Sequence, residues 1–336
     1  MTSSKLRKKN TVFELLNSKV FDINKIHGLQ NLDGTSCYSD CVLFSLLAIP
    51  DNFINKHMFF SKIKHYNITK SQEKIRNIIQ KYIIKLAISI RFTNDIKTCQ
   101  KFRTMLNICQ LNGMPNFGKH GQQESGEFLS YLFTIFNINN IAKTRTINFA
   151  TNNLTSKVTQ KELIQTSVTY DKKASPIVFI DPFKLNGKLD KNNLIYYFLK
   201  QFTDSGELTK DNKFIYKVSS KNIKYSRTFS YMTVMDSPYI VFWAQRANPI
   251  DNSIIRTNIT PTQQITLNSK RVLYLNSIIL HIGNISGGHY ITYFRHNIKW
   301  YLYDDINSNI IYIGNYFKML ETTPNPCTNG VLYFYS

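Results

Sequence analysis

Gly28-Leu29-Gln30-Asn31-Leu32-Asp33-Gly34-Thr35-Ser36-Cys37-Tyr38 is a polar, glycine-bearing loop that runs directly into the apolar stretch ending at Leu47. Tyr38, Cys41, Val42 and Leu46 recur at helical spacing, so the loop is expected to end at a helix N-terminus. There the backbone N–H groups and the helix dipole favour negative charge, which would promote a Cys37 thiolate. Gly34 would let the backbone come close to a reacting carbonyl. Taken alone, a cysteine after a glycine loop is more often a buried structural thiol.

Outward from this stretch the texture divides in two. Toward the C-terminal side, Ser71 to Leu111 carries Ile75, Ile78, Ile79, Tyr82 and Ile83 at helical spacing and predicts long amphipathic helices. A further helix is expected near Gln122, announced by Gly121, with Phe128, Leu129, Leu132 and Phe133 inward. From about Ile147 onward, β-branched and aromatic runs are punctuated by Asn, Gly, Asp and Pro. Ile177 to Ile180, Tyr239 to Trp243, Val272 to Leu280, Tyr290 to Phe294 and Val331 to Tyr335 read as strands. Helices first and strands second make an α+β pattern with a site at the seam. Before it, residues 1–25 form a basic tail opening with Lys5 to Lys9, and an early helix is expected near Val12 to Leu16.

Three more segments carry chemistry. Gly287-Gly288-His289-Tyr290 sets an imidazole beside paired glycines, a narrow passage for an extended chain. His281 precedes it. Trp300-Tyr301-Leu302-Tyr303-Asp304-Asp305 is predicted to return antiparallel through a hairpin at Arg295 to Lys299, bringing a carboxylate back to His289 to fix its tautomer. Gln122-Gln123-Glu124-Ser125-Gly126 at a helix start offers amides and a carboxylate to an extended peptide, or simply caps the helix.

Composition bounds the function. The 336 residues carry 42 Lys+Arg against 21 Asp+Glu, a formal charge of +21, which attracts anions and allows non-specific nucleic-acid binding without specifying a reaction. Five cysteines, Cys37, Cys41, Cys99, Cys109 and Cys327, contain no CxxC pair, so no structural zinc site is expected and no metal or other cofactor is assigned. With neither a signal peptide nor a disulfide framework, the expected setting is an intracellular reducing compartment, cytoplasm or nucleus, with a virus particle as a further option. The apolar stretch Tyr82 to Phe92 is broken by Lys85 and Arg91 and is too short to span a bilayer, so no membrane partner is expected. Abundant Asn, Ile and Lys suit an AT-rich genome such as that of a large DNA virus or a protist.

In order, the four segments resemble the cysteine, Gln-Gln-Asp and histidine boxes of the ubiquitin-specific proteases, a family of papain-like cysteine proteases. Ser237-Pro238-Tyr239-Ile240-Val241-Phe242-Trp243-Ala244-Gln245-Arg246 resembles the family's strand before the histidine box, and the likeness runs from Gly28 to Ser336. SUMO-type proteases place histidine before cysteine, the opposite order.

The resemblance implies one catalytic domain over residues 26–336. It would comprise a helical thumb at 26–146, reduced and divergent fingers at 147–235 without the family's zinc cysteines, and a β-rich palm at 236–336. Cys37 would be nucleophile, His289 base and Asp304 its orienter, with Asp305 auxiliary. Gln122, Gln123, Glu124, Gly287, Gly288 and Tyr290 would line the groove for the tail of ubiquitin or a ubiquitinated protein. The family's oxyanion Asn lies five positions before the cysteine, where Leu32 stands here, so either Asn31 reaches in through a bulged loop or the Cys37 N–H acts with another donor. Glu124 stands for the family's Asp, and Gly126 for a larger residue. Another Gly-Gly modifier, a viral polyprotein, and a non-catalytic ubiquitin- or nucleic-acid-binding scaffold are the alternative readings.

Overall fold

The computed structural model describes residues 12, 14–16, 22–61, 70–108, 117, 121, 123–138, 142–151, 164–170, 177–180, 216–218, 221–223, 225–234, 237–248, 251, 253–267, 269–284 and 287–336. Gln122, Cys109, about two thirds of the basic tail and most of 147–235 lie outside the described residues. Helix α1 (Cys37–Leu47) is mostly apolar and buried around its whole circumference, with only Ser45 of its residues not buried. Such a helix has no solvent face and belongs in the centre of the core. Helix α2 (Lys70–Ile88) is amphipathic, burying Ile79, Ile83, Leu86 and Ala87 while Ile78 stays exposed.

The predicted helical run from Ser71 is interrupted. After α2 a π-helical turn (Ser89–Thr93) ends at Asn94 in the left-handed region (φ 56°), and α3 (Gln100–Ile108) starts afresh. The Ser89 hydroxyl accepts the Ile96 N–H at 2.7 Å, an alternative partner that diverts the backbone from the helix. Arg91, which breaks the apolar run in the sequence, is fully buried beneath the C-terminal end of α1. Its guanidinium donates to the carbonyls of Leu47 (2.6 Å), Leu16 (3.1 Å) and Ile49 (3.4 Å). Acceptors left unpaired at a helix end thereby gain a cation, the charge that this end favours. Among the described residues no single helix is long and apolar enough to cross a membrane.

Helix α4 (Ser125–Ile135) begins three residues later than Gln122 and buries the four expected side chains, Phe128, Leu129, Leu132 and Phe133. The strands follow. β1 (Ala142–Thr151), β2 (Ile164–Tyr170) and β6 (Tyr225–Val234) form a separate antiparallel sheet in the order β2-β1-β6, and β4 (Tyr216–Val218) pairs with β5 (Lys221–Ile223). The main sheet contains β3 (Val178–Ile180), β7 (Ile240–Ala244), β8 (Gln264–Thr266), β9 (Val272–Asn284), β10 (Gly287–His296), β11 (Lys299–Asp304), β12 (Asn309–Gly314) and β13 (Gly330–Tyr335). Its order is β12-β11-β10-β9-β13-β7-β3, with β8 on β9, and only the β3–β7 pair is parallel.

The predicted hairpin is present, with Arg295 opposite Trp300, Thr292 opposite Tyr303, and Asn297 at φ 56° in the turn. Helix α1 packs on this sheet. Phe44 stacks on Tyr303 (centroids 3.9 Å apart, 16° between planes) and meets Phe294 edge-on at 5.1 Å. Arg246 is buried and donates to the carbonyls of Gly330, Ile255, Thr257 and Cys327, tying the end of β7 to the loops around β13. Together these contacts bring the start of α1, the start of β10 and the end of β11 to one place.

Candidate active site

The cysteine arm is built from side-chain contacts. Asp33 accepts the Thr35 N–H at 3.0 Å and pairs with Arg103 of α3 at 2.7 Å, while the Arg103 guanidinium lies over the Tyr38 ring at 5.5 Å. Asn31 turns its side-chain carbonyl to Ser36, accepting the Ser36 N–H at 3.0 Å and lying 2.9 Å from Oγ. Because the backbone N–H can only donate, this contact identifies Oδ1 and leaves Nδ2 as the donor end of the amide. Leu32 points to solvent. Gly34 has φ +69° and open space where a Cβ would stand, so it serves the turn rather than a close approach. Gly28 is the glycine that needs closeness, since a Cβ there would lie 2.5 Å from the Tyr303 ring. The Tyr303 hydroxyl donates to the Leu29 carbonyl at 2.8 Å, and the Asn31 N–H to the Asp305 carbonyl at 3.0 Å, joining this loop to the end of β11.

The histidine arm is built from the backbone ladder. His289 Nε2 lies 2.8 Å from Asp304 Oδ1 and 3.6 Å from Asp305 Oδ1. With Nε2 held by Asp304, Nδ1 is the nitrogen left for chemistry. Asp304 also accepts the Ile306 N–H at 3.0 Å, which fixes its carboxylate. The Tyr290 N–H, one residue past His289, bonds to the Cys37 sulfur.

Electrostatics depart from the sequence expectation at Cys37. The thiol is buried at the helix start, and burial pushes its pKa up; the Tyr290 N–H pulls it back, and the nearby Asp40 charge raises it again. Desolvation therefore outweighs the helix end, and the resting group is a neutral thiol. Burial would lower His289, but its hydrogen bond with Asp304 and the Asp305 and Asp304 charges raise it above the ordinary histidine value. The Asp304 carboxyl is lowered, chiefly by that same bond with His289. His281 is pushed down to about 4, by burial first and then by the Arg256 and His289 charges, so its ring is neutral. His289, Asp304 and Asp305 form a possible three-ligand group within 4.8 Å, yet the nitrogen facing the carboxylates is already engaged by Asp304.

Of the other expected residues, Glu124 caps α4, with Oε2 accepting the Gly126 N–H (2.5 Å) and the Glu127 N–H (3.1 Å). Gln123 precedes it, half-buried. Gly126 lies against Trp243; a Cβ there would come within 2.2 Å of the indole. Gly288 abuts the His281 ring in the same way, whereas Gly287 has open space around it. Tyr290 is buried against His281 (4.8 Å), and its hydroxyl bonds Ser125, joining β10 to the start of α4. Arg103, Ser36 and Asp40 were not legible as site residues. Only the Asp33-Gly34 turn pair hinted at the loop that they hold.

The ubiquitin carboxyl-terminal hydrolase family matches residues 27–335, and the chain belongs to this family. It is accordingly a thiol-dependent hydrolase with the family's mixed helix-and-sheet fold. Among solved structures it is similar to the SAGA DUB module Ubp8/Sgf11/Sus1/Sgf73 bound to monoubiquitin, at 14% identity and TM-score 0.63, covering 99% of this chain and 74% of that one. The same module bound to ubiquitin aldehyde matches at 13% identity and TM-score 0.62 with the same coverage. A yeast SAGA DUB module matches at 12% and 0.57, covering 95% and 70%. No curated protein sequence matches the chain.

Proposed function

We propose that this protein hydrolyses the peptide or isopeptide bond after the C-terminal Gly-Gly of ubiquitin, with Cys37 as nucleophile, His289 as general base and acid, and Asp304 as its orienter. The observation that carries the reading is the 2.8 Å His289–Asp304 bond, set one residue from the N–H that holds the Cys37 sulfur. The solved relatives bound to monoubiquitin and to ubiquitin aldehyde support ubiquitin as the substrate. In this reading residues 26–146 and 236–336 are the two walls of the substrate groove, and 147–235 is an extension that grips the body of ubiquitin.

His289 Nδ1 takes the thiol proton as Sγ attacks the carbonyl carbon, and the charge that develops on the oxygen is met by backbone N–H groups and the Asn31 amide. Collapse breaks the C–N bond, the imidazolium returns its proton to the leaving amine, and a thioester remains. Water, deprotonated by His289, then attacks the thioester and releases a carboxylate and the thiol. Asp304 stays ionised throughout and stabilises the imidazolium. Burial raises the Cys37 thiol above its ordinary value, so His289 has to remove its proton for the attack to proceed.

Intact-mass analysis of the protein with a ubiquitin bearing a C-terminal electrophile tests the proposal. A single adduct mapped to Cys37, absent in Cys37→Ala, is the expected result. Modification of Cys37 by a small thiol reagent with no ubiquitin adduct would overturn ubiquitin as the substrate.

A further inference from the structure

Among the described residues, three buried carboxylate oxygens beside the site have no close donor, the Cys99 thiol being the one that Asp40 faces. Asp40 and Asp305 are each fully buried, and Asp40 Oδ1 and both oxygens of Asp305 find no hydrogen-bond partner as ionised groups. The two carboxyls lie within hydrogen-bonding range of each other. Two buried like charges at that separation are costly, whereas one proton removes a charge and supplies a missing donor.

Among the described residues no cation is dedicated to the pair. Asp40 faces Cys99 and Arg103 from the α3 side, Cys37, Tyr38 and Cys41 on its own helix, and Tyr303 and Asp305 from the sheet. Asp305 faces Asp40, Cys37, Cys41, Tyr303 and His289. The two cations among these bind other carboxylates more closely, Arg103 at Asp33 (2.7 Å) and His289 at Asp304 (2.8 Å).

The pair is also joined to the cysteine loop. Asp40 Oδ2 accepts the Ser36 hydroxyl at 2.6 Å, and the Ser36 N–H donates to Asn31 Oδ1 at 3.0 Å, so Asp40 holds the residue whose backbone holds the Asn31 amide. Contacts therefore run from Asp305 through Asp40 and Ser36 to Asn31, and the Asn31 N–H closes the ring on the Asp305 carbonyl.

We propose that Asp40 and Asp305 hold one proton between them, and that Asp40 is a positioning residue which, through Ser36, keeps the donor end of the Asn31 amide turned toward the reaction. The positioning role rests on the function proposed above; the shared proton does not. Burial raises both carboxyls above the ordinary value, and the Asp40 charge raises Asp305 further. A carboxyl raised on folding stabilises the fold below the ordinary carboxylate range, and that contribution is lost as pH climbs toward the folded value.

Infrared spectra of the full chain at about pH 8, where ordinary carboxyls are ionised, test the proton directly. The carbonyl stretch of a protonated carboxyl is expected in the wild type and absent in Asp40→Asn and in Asp305→Asn. Its absence from the wild type, or its survival in both variants, would overturn the proposal. Asn at position 40 supplies a permanent N–H to Asp305 and a carbonyl to Ser36, so it replaces the proton without emptying the site. The Tm of the wild type should therefore fall more steeply than that of Asp40→Asn between about pH 6 and pH 9.

Asp40→Ala should lose about a hundredfold in kcat, with KM little moved, and Asp40→Asn should recover most of the loss. Equal losses in both would remove the positioning role. The infrared and thermal measurements involve no ubiquitin, so a protein inert toward ubiquitin that still showed the band would sink the substrate reading and leave the shared proton standing.

Discussion

Cys37 rides on a loop pinned by side chains, whereas His289 rides on a ladder of backbone hydrogen bonds. The β10–β11 hairpin is set by alternation and a tight turn, and its register, with Thr292 opposite Tyr303, brings Asp304 diagonally across from His289, where their side chains bond. The cysteine arm has no ladder. Asp33 with Arg103, Ser36 with Asn31, and Tyr303 with Leu29 hold it instead. An arm held by a few buried polar contacts loses its geometry when one partner is removed, because the other is left desolvated and unpaired. A hairpin spreads its stability over many bonds, so most of its side chains tolerate change.

The largest expected effect lies where the arms meet. Cys37→Ala should abolish turnover and adduct formation, as measured by release of a fluorophore from the ubiquitin C-terminus. Asp304→Ala should lower kcat roughly a hundred- to ten-thousandfold while leaving the hairpin and the Tm nearly unchanged. A comparable loss of Tm would mean that the hairpin also depends on side-chain pairing, and the contrast between the arms would fail.

On the cysteine arm, Arg103→Ala should destabilise the fold by about 1.5–3 kcal/mol, since it removes the charged partner of half-buried Asp33 and leaves it only its Thr35 contacts. Denaturant unfolding measures this, and a change near zero would show that the loop holds itself. Gly126→Ala should cost about 1–3 kcal/mol through the clash with Trp243, without a specific effect on the thiol.

The smallest expected effect is in the pH dependence. The rate of Cys37 alkylation should keep rising above the ordinary thiol pKa of about 8.5, because burial holds its proton. For His289 the sign is opposite in consequence. Its raised pKa keeps the imidazolium above the ordinary histidine range, so the base-dependent limb of kcat/KM should start later than it would for a free histidine. An Asp304→Asn variant should shift that limb to lower pH.

Local pattern carried much of this protein into view from its sequence. The α1 helix after Cys37, the hairpin through Asn297 and the buried face of α4 depend on periodicity and turn chemistry, which act over a few residues. The order of the boxes was sufficient to name the family that the match over residues 27–335 shows. Other features depended on residues far apart in the chain. Gly126 makes room for Trp243 and Arg91 serves the end of α1, neither of which spacing reveals, whereas the Glu124 cap is local and was one of the two readings that its place at a helix start offered.

The burial that keeps the Cys37 thiol protonated and the meeting of Asp40 with Asp305 were likewise decided only by the tertiary structure. Desolvation and like-charge proximity are properties of the assembled core, in which residues hundreds of positions apart share one dry space. The sequence by itself determined which groups could react; how their protons are held was settled by the packing of α1 on the sheet.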